Sequence, residues 1–309
     1  MKRPKLKKRI ELAAGRLAMT TLFRLSKHLN PARVERWGKI LGGFIFKASR
    51  RYRRVALKNL TAAYPEWNEQ DVKKTARESF THFGRGALEF FYFLSVPSEE
   101  LDERVEIEGK EHLDAALANG HGAIIVTAHL GNWELFARIF VLLGYPISVI
   151  ARDSDDPTIT EITNTIRQNA GYKVLGRDKS ALPALRALRR NEVLGILPDQ
   201  NTLSGIFVDF FGRPVATATG PAVFAIRSGA PIICGYTKRL GGGRFKTVLY
   251  PPIDLPLTGN EEADIHNVTA ALTRAIEEEI RKEPAQWLWL HDRWRRTTEA
   301  PNTTGSVDN

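Results

Sequence analysis

The residues best suited to chemistry in this chain are His129 and Glu134, within His129-Leu130-Gly131-Asn132-Trp133-Glu134. An imidazole takes and returns a proton near neutral pH, and a carboxylate beside it can fix its tautomer and stabilise its cation. The pair fits a general base that strips a substrate hydroxyl of its proton, so that the oxygen attacks an activated acyl group. A thioester donor would need no covalent enzyme intermediate. The same His also fits a purely structural role at a strand end, and the spacing alone does not decide between the two.

The neighbouring sequence shows what must position this pair. The apolar run 123–128 reads as a buried strand, and Asn132 reads as the N-cap of a helix with Leu135, Phe136, Ile139 and Phe140 on its inner face. His129 then lies at the carboxyl edge of a strand, where open α/β sheets place their active sites. Further strands are expected at 105–108, 147–151, 173–175, 193–197, 231–238 and 245–250. Helices are expected at 71–94, 110–118, 133–143, 157–169, 179–190, 220–228 and 262–282. This alternation predicts an α/β fold, a mainly parallel mixed sheet covered by helices. Gly241-Gly242-Gly243 predicts a hairpin that joins the last two strands antiparallel. Residues 61–296 are expected to form one α/β domain, and 297–309 a disordered tail.

Other chemistries lack their signatures. There is no nucleophile elbow, no phosphate-binding loop and no dinucleotide fingerprint. No Cys/His set has zinc spacing, and His121 and His129 are separated by a strand of roughly 26 Å, too far to share a metal. His121 is expected in the turn that enters that strand. Cys234, the one cysteine, excludes an internal disulfide and reads as a buried thiol in a reducing compartment.

Charge is distributed unevenly. Residues 1–60 hold 18 Lys/Arg and 2 Asp/Glu, whereas the rest holds 27 and 33. Such a segment attracts a polyanion, or is simply a solvated face. Two apolar stretches accompany the charge, 10–25 and 37–46, and Arg50, Arg51, Arg53 and Arg54 follow them. The first would span roughly 24 Å as a helix, less than the hydrocarbon core. Apolar helices flanked by basic clusters fit a membrane-associating segment over 1–60 better than a nucleic-acid arm.

Beyond the hexapeptide, an ordered set of blocks resembles the lipid A late acyltransferase family (lauroyl and myristoyl acyltransferases), part of the H-x-x-x-x-[DE] acyltransferase group. The blocks are Ala151-Arg152-Asp153 with Asp156-Pro157, Gly176-Arg177-Asp178, Pro198-Asp199-Gln200, Phe210-Phe211-Gly212, Thr219-Gly220-Pro221 and Trp289-Leu290-His291-Asp292-Arg293-Trp294. The resemblance covers nearly the whole chain. It implies transfer of a fatty acyl chain from acyl carrier protein, or from coenzyme A, to a hydroxyl of a glycolipid such as a lipid A precursor. The setting it implies is the cytoplasmic face of the inner membrane, against anionic lipid, with no cofactor. His129 would be the base and Glu134 its partner.

The resemblance also assigns roles to other residues. Arg152 would stabilise the oxyanion or a donor phosphate, or else pair with Asp153 or Asp155. Asp199 would bond His129, Arg152 or the acceptor, or else be a turn residue. Arg177 would bind acceptor phosphate, or else face solvent. His291 and Arg293 would pack near the site, within a structural clamp of Trp287, Trp289 and Trp294. Two rivals are a glycerol-phosphate or lysophospholipid acyltransferase and a non-catalytic basic module that binds membrane or nucleic acid.

Overall fold

Short runs of aliphatic residues that alternate between two apolar faces build the sheet. In β2 (Ala123–Val126), Ile124 and Val126 face one core layer while Ala123 and Ile125 face the other, and all four are buried. The computed structural model describes residues 6–26, 29–154, 156–254 and 257–296. The expected tail 297–309, the first five residues of the basic segment and Asp155 lie outside the described residues.

Four helices lead in: α1 (Leu6–Ser26), α2 (Pro31–Ala48), α3 (Arg50–Ala63) and α4 (Glu69–Phe93), with the short α5 (Ser98–Asp102) after them. Alternation then begins with β1 (Val105–Glu108), α6 (Lys110–Ala118), β2, α7 (Trp133–Leu142), β3 (Ile147–Ala151), α8 (Pro157–Asn169) and β4 (Lys173–Gly176). It continues through α9 (Ala181–Arg189), β5 (Val193–Ile196), β6 (Ile206–Phe210), β7 (Arg213–Thr217), α10 (Gly220–Ser228), β8 (Ile232–Gly241), β9 (Arg244–Pro252) and α11 (Glu261–Lys282).

The main sheet has seven strands in the order β1-β9-β8-β2-β5-β3-β4. Strands β8, β2, β5, β3 and β4 run parallel to one another, while β9 is antiparallel to β8 and parallel to β1. The fold is therefore α/β with a mostly parallel mixed sheet flanked by helices, and the triple-glycine hairpin joins β8 to β9 as expected. Cys234 is buried in β8, and His121 is exposed in the turn before β2.

Two features depart from expectation. The basic run after residue 49 continues as α3, whose inner residues Ala56, Asn59, Leu60 and Ala63 are buried while Arg50, Arg51 and Arg54 are exposed and Arg53 is half-buried. A separate antiparallel hairpin, β6–β7, was not expected. Its turn places Phe211 at φ 55° and Gly212 at φ 68°. A phenylalanine seldom adopts that region, so the usual Asn-Gly or Asp-Gly signal is missing.

The leading helices are packed onto the body through glycine. A Cβ on Gly84 of α4 would lie 2.4 Å from the Gly38 carbonyl oxygen, and one on Gly42 would lie 2.2 Å from that of Phe80. Helices α2 and α4 thus touch backbone to backbone. Gly42→Val should cost on the order of 3 kcal/mol, because neither backbone can retreat. A urea unfolding midpoint equal to that of the wild type would refute this close crossing.

Candidate active site

Four adjacent strands of the parallel body end on one rim, and each is followed by a candidate residue. His129 follows β2, Asp199 follows β5, Arg152 follows β3 and Arg177 follows β4. Neighbouring strands lie about 4.8 Å apart, so the residue after β5 is the one within direct reach of His129.

That contact is made twice. The His129 backbone N–H donates to Asp199 Oδ2 at 2.8 Å, and ring Nδ1 lies 2.7 Å from Oδ1. Trp287 adds a third donor, its indole Nε1–H bonding Oδ2 at 2.9 Å. Burial pushes the Asp199 carboxyl upward. The charge of His129 and these donors outweigh it and hold the group at about 2. An ionised carboxylate only accepts, so in the neutral imidazole Nδ1 carries the proton and Nε2 presents its lone pair. His129 lines a cavity of about 640 Å³, and the amide nitrogen of Gln200, which lines it too, lies 3.1 Å from Nε2.

Glu134 lies elsewhere. From the first turn of α7 its carboxylate turns towards α8, accepting from Arg167 Nε at 3.0 Å and Nη2 at 2.5 Å. Tyr172 Oη donates to it at 3.2 Å. Burial pushes the Tyr172 hydroxyl well up, so it remains a donor. Burial opposes the Arg167 charge, but Glu134 outweighs this and raises the guanidinium. The orienting contact expected of Glu134 is thus made by Asp199. Glu134 instead holds Arg167 in the cavity wall, a residue for which the sequence carries no visible mark. Arg152 is exposed on the cavity lining, and Arg177, with its side chain 55% exposed beside Asp178, lies further along the same rim. The structure therefore brings His129 and Asp199 together and sets Glu134, Arg152 and Arg177 around the same cavity.

The His129 loop is fixed on both sides. Gly131, at φ 61°, passes so close to β8 that a Cβ would lie 2.0 Å from the Thr237 oxygen. Asn132 caps α7 by accepting from Leu135 N at 2.9 Å, as its sequence position predicts. Its side-chain amide donates to Glu89 at 3.0 Å. Glu89 in turn receives Arg239 Nε and Nη2, and Arg239 Nη1 donates to the Gly131 carbonyl at 2.6 Å. This buried pair holds the loop that follows His129.

The segment 287–296 closes the other side. Leu288 N donates to the His129 carbonyl at 3.0 Å. Asn201 N donates to His291 Nε2 at 3.0 Å, Arg293 bonds the Gln200 and Ala216 carbonyls and the Thr217 hydroxyl, and Arg296 bonds the Thr202 carbonyl at 3.2 Å. The tryptophans do form a clamp, with Trp287 and Trp289 meeting edge to face at 4.6 Å. His291 and Arg293 act from within it on the loop that carries Asp199.

The chain is an acyltransferase by descent. Residues 12–296 match the family model described as bacterial lipid A biosynthesis acyltransferase, and the chain belongs to that family. It is 27% identical over 270 residues to the lipid A biosynthesis lauroyltransferase of Escherichia coli, a match covering 86% of each chain. It is 28% identical over 226 residues to the phosphatidylinositol mannoside acyltransferase of Mycobacterium tuberculosis, covering 70% of this chain and 69% of that one. With the Escherichia coli lipid A biosynthesis myristoyltransferase it shares 25% identity over 258 residues, covering 81% and 77%.

The buried Glu89–Arg239 pair yields a stability test. Arg239→Met strands the Glu89 carboxylate and should cost about 3–5 kcal/mol, whereas adding Glu89→Met should recover part of that loss. Additive losses in urea unfolding of the two single variants and the double variant would contradict a coupled pair.

Proposed function

We propose that this chain transfers a fatty acyl group from a thioester, carried by acyl carrier protein or coenzyme A, to a hydroxyl of a glycolipid such as a lipid A precursor. The observation that carries the reading is the doubly bonded His129–Asp199 contact, which leaves Nε2 as the base at the cavity wall. The acceptor hydroxyl gives its proton to Nε2 while its oxygen bonds to the thioester carbon. Asp199 stabilises the imidazolium that forms. Collapse breaks the C–S bond, and the imidazolium returns the proton to the departing thiolate. No covalent acyl-enzyme is required.

The cavity suits both substrates. Ala137, Val149, Ile150, Ile196 and Phe224 offer an apolar lining for an acyl chain. Arg167, set by Glu134, presents positive charge beside it, and Arg152 and Arg177 mark the rim for the phosphates of donor or acceptor. The names of two relatives point to glycolipid acceptors, lipid A in one case and a mannosylated phosphatidylinositol in the other. The acceptor class is therefore taken as a glycolipid, ahead of a small phosphate acceptor.

The glycolipid is proposed to arrive from a bilayer, with the protein on the cytoplasmic face of the inner membrane. Among the described residues no helix is long and apolar enough to cross a membrane. Helix α2 instead buries Val34, Gly38 and Gly42 against the body and exposes Trp37, Ile40 and Phe44. Arg36, Lys39 and Lys47 accompany that exposed stripe. Apolar residues at helical spacing with basic neighbours suit a helix lying in the interface, and 1–60 is proposed as this membrane-associating part.

Two measurements test these readings. His129→Ala should abolish acyl transfer and Asp199→Asn should lower kcat by on the order of 10³-fold or more, both with native circular dichroism. Undiminished turnover in His129→Ala would sink the mechanism. Replacing Trp37, Ile40 and Phe44 with Ser should release the protein from anionic vesicles in a sedimentation assay at about 0.15 M salt. Equal pelleting of this variant and the wild type would remove α2 from the membrane contact.

A further inference from the structure

The lone pair of His129 Nε2 is already engaged. Nδ1 carries the proton bonded to Asp199, so the contact at 3.1 Å has the Gln200 carboxamide N–H donating to Nε2. The Trp133 ring covers another side of the imidazole, its centroid 5.1 Å away and tilted by 56°. A hydroxyl that reaches the base through the cavity must take the place now held by the Gln200 amide.

Gln200 is held through its backbone. Its carbonyl accepts from Arg293 at 3.5 Å, Asp199 before it is held by three donors, and the next N–H bonds His291. Arg293 is itself 1% exposed. The backbone is therefore fixed, while the half-buried side chain, with three rotatable bonds, lines the cavity. It can leave the base without disturbing Asp199.

Water and acceptor differ in what they bring to that displacement. Water that takes the amide's place forfeits the net stability of an intramolecular hydrogen bond and brings no other contact to offset the loss. A large acceptor has binding energy from its remote parts to drive the exchange. We propose that the Gln200 carboxamide is a cap on the base, displaced by a bound acceptor and not by water, so that it sets the partition between acyl transfer and hydrolysis of the donor. This rests on the proposed role of His129. Once the cap is gone, a water O–H gives its proton to Nε2 and its oxygen bonds to the thioester carbon. The C–S bond then breaks, and the thiolate takes the proton from the imidazolium, releasing a free fatty acid and a free thiol.

The test compares the full chain with Gln200→Met, which keeps length and loses the N–H, and Gln200→Ala, which removes the side chain. Dodecanoyl thioesters of coenzyme A and of acyl carrier protein serve as donors. Thiol release without acceptor gives hydrolysis, and labelled acyl incorporation into a lipid A precursor gives transfer. The hydrolysis-to-transfer ratio should rise on the order of tenfold in both variants, the factor one hydrogen bond can hold back. A wild-type ratio in either natively folded variant overturns the cap. His129→Ala should lose both reactions. If it keeps transfer, the base assignment itself fails, a result distinct from an unchanged ratio in the Gln200 variants.

Discussion

One buried carboxylate organises the site. Asp199 accepts from the backbone and the ring of His129 and from the indole of Trp287, so it draws together the end of β2, the end of β5 and the closing segment. A carboxylate this deeply buried is tolerable only with such a set of donors. The condition acts in both directions, since the donors are placed by the anion and the anion stays ionised because of them. The ring proton is thereby confined to Nδ1. Sheet order makes the arrangement possible, because β2 and β5 are parallel neighbours and their following loops emerge side by side.

A second ionic pair does similar work one layer below. Glu89 on α4 and Arg239 on β8 share a bidentate contact and hold Gly131 and Asn132 from beneath. Glu134 and Arg167 form a third pair, at the cavity wall. The three carboxylates have distinct tasks. Asp199 orients the imidazole, Glu89 fixes its loop, and Glu134 sets a cation beside the cavity.

Much of this was legible in the sequence where the signal is local. The strand before His129, the cap at Asn132, the alternating strands and helices and the glycine hairpin all follow from periodicity and turn chemistry. The partner of His129 depends on which strands are neighbours, and no local pattern states that β5 lies beside β2. Sequence proximity favoured Glu134, but the first turn of α7 aims that carboxylate at α8. Arg167 is an ordinary residue in the sequence and Gln200 is marked there only as part of the Pro198-Asp199-Gln200 block, and both matter once α8 and the loop after β5 are placed. Helix α3 has the sequence of a charge cluster, because its four arginines hide a narrow stripe of Ala, Asn and Leu.

The closing segment has a consequence for the order in which the enzyme is made. His129 leaves the ribosome early, yet its loop lacks an edge partner, and Asp199 lacks its indole donor, until residues 287 and 288 exist. The loop that holds Gln200 waits for Arg293. A nascent chain therefore carries the imidazole before it has the partners that orient it. Completion of the His129 site is a late event in the life of the polypeptide.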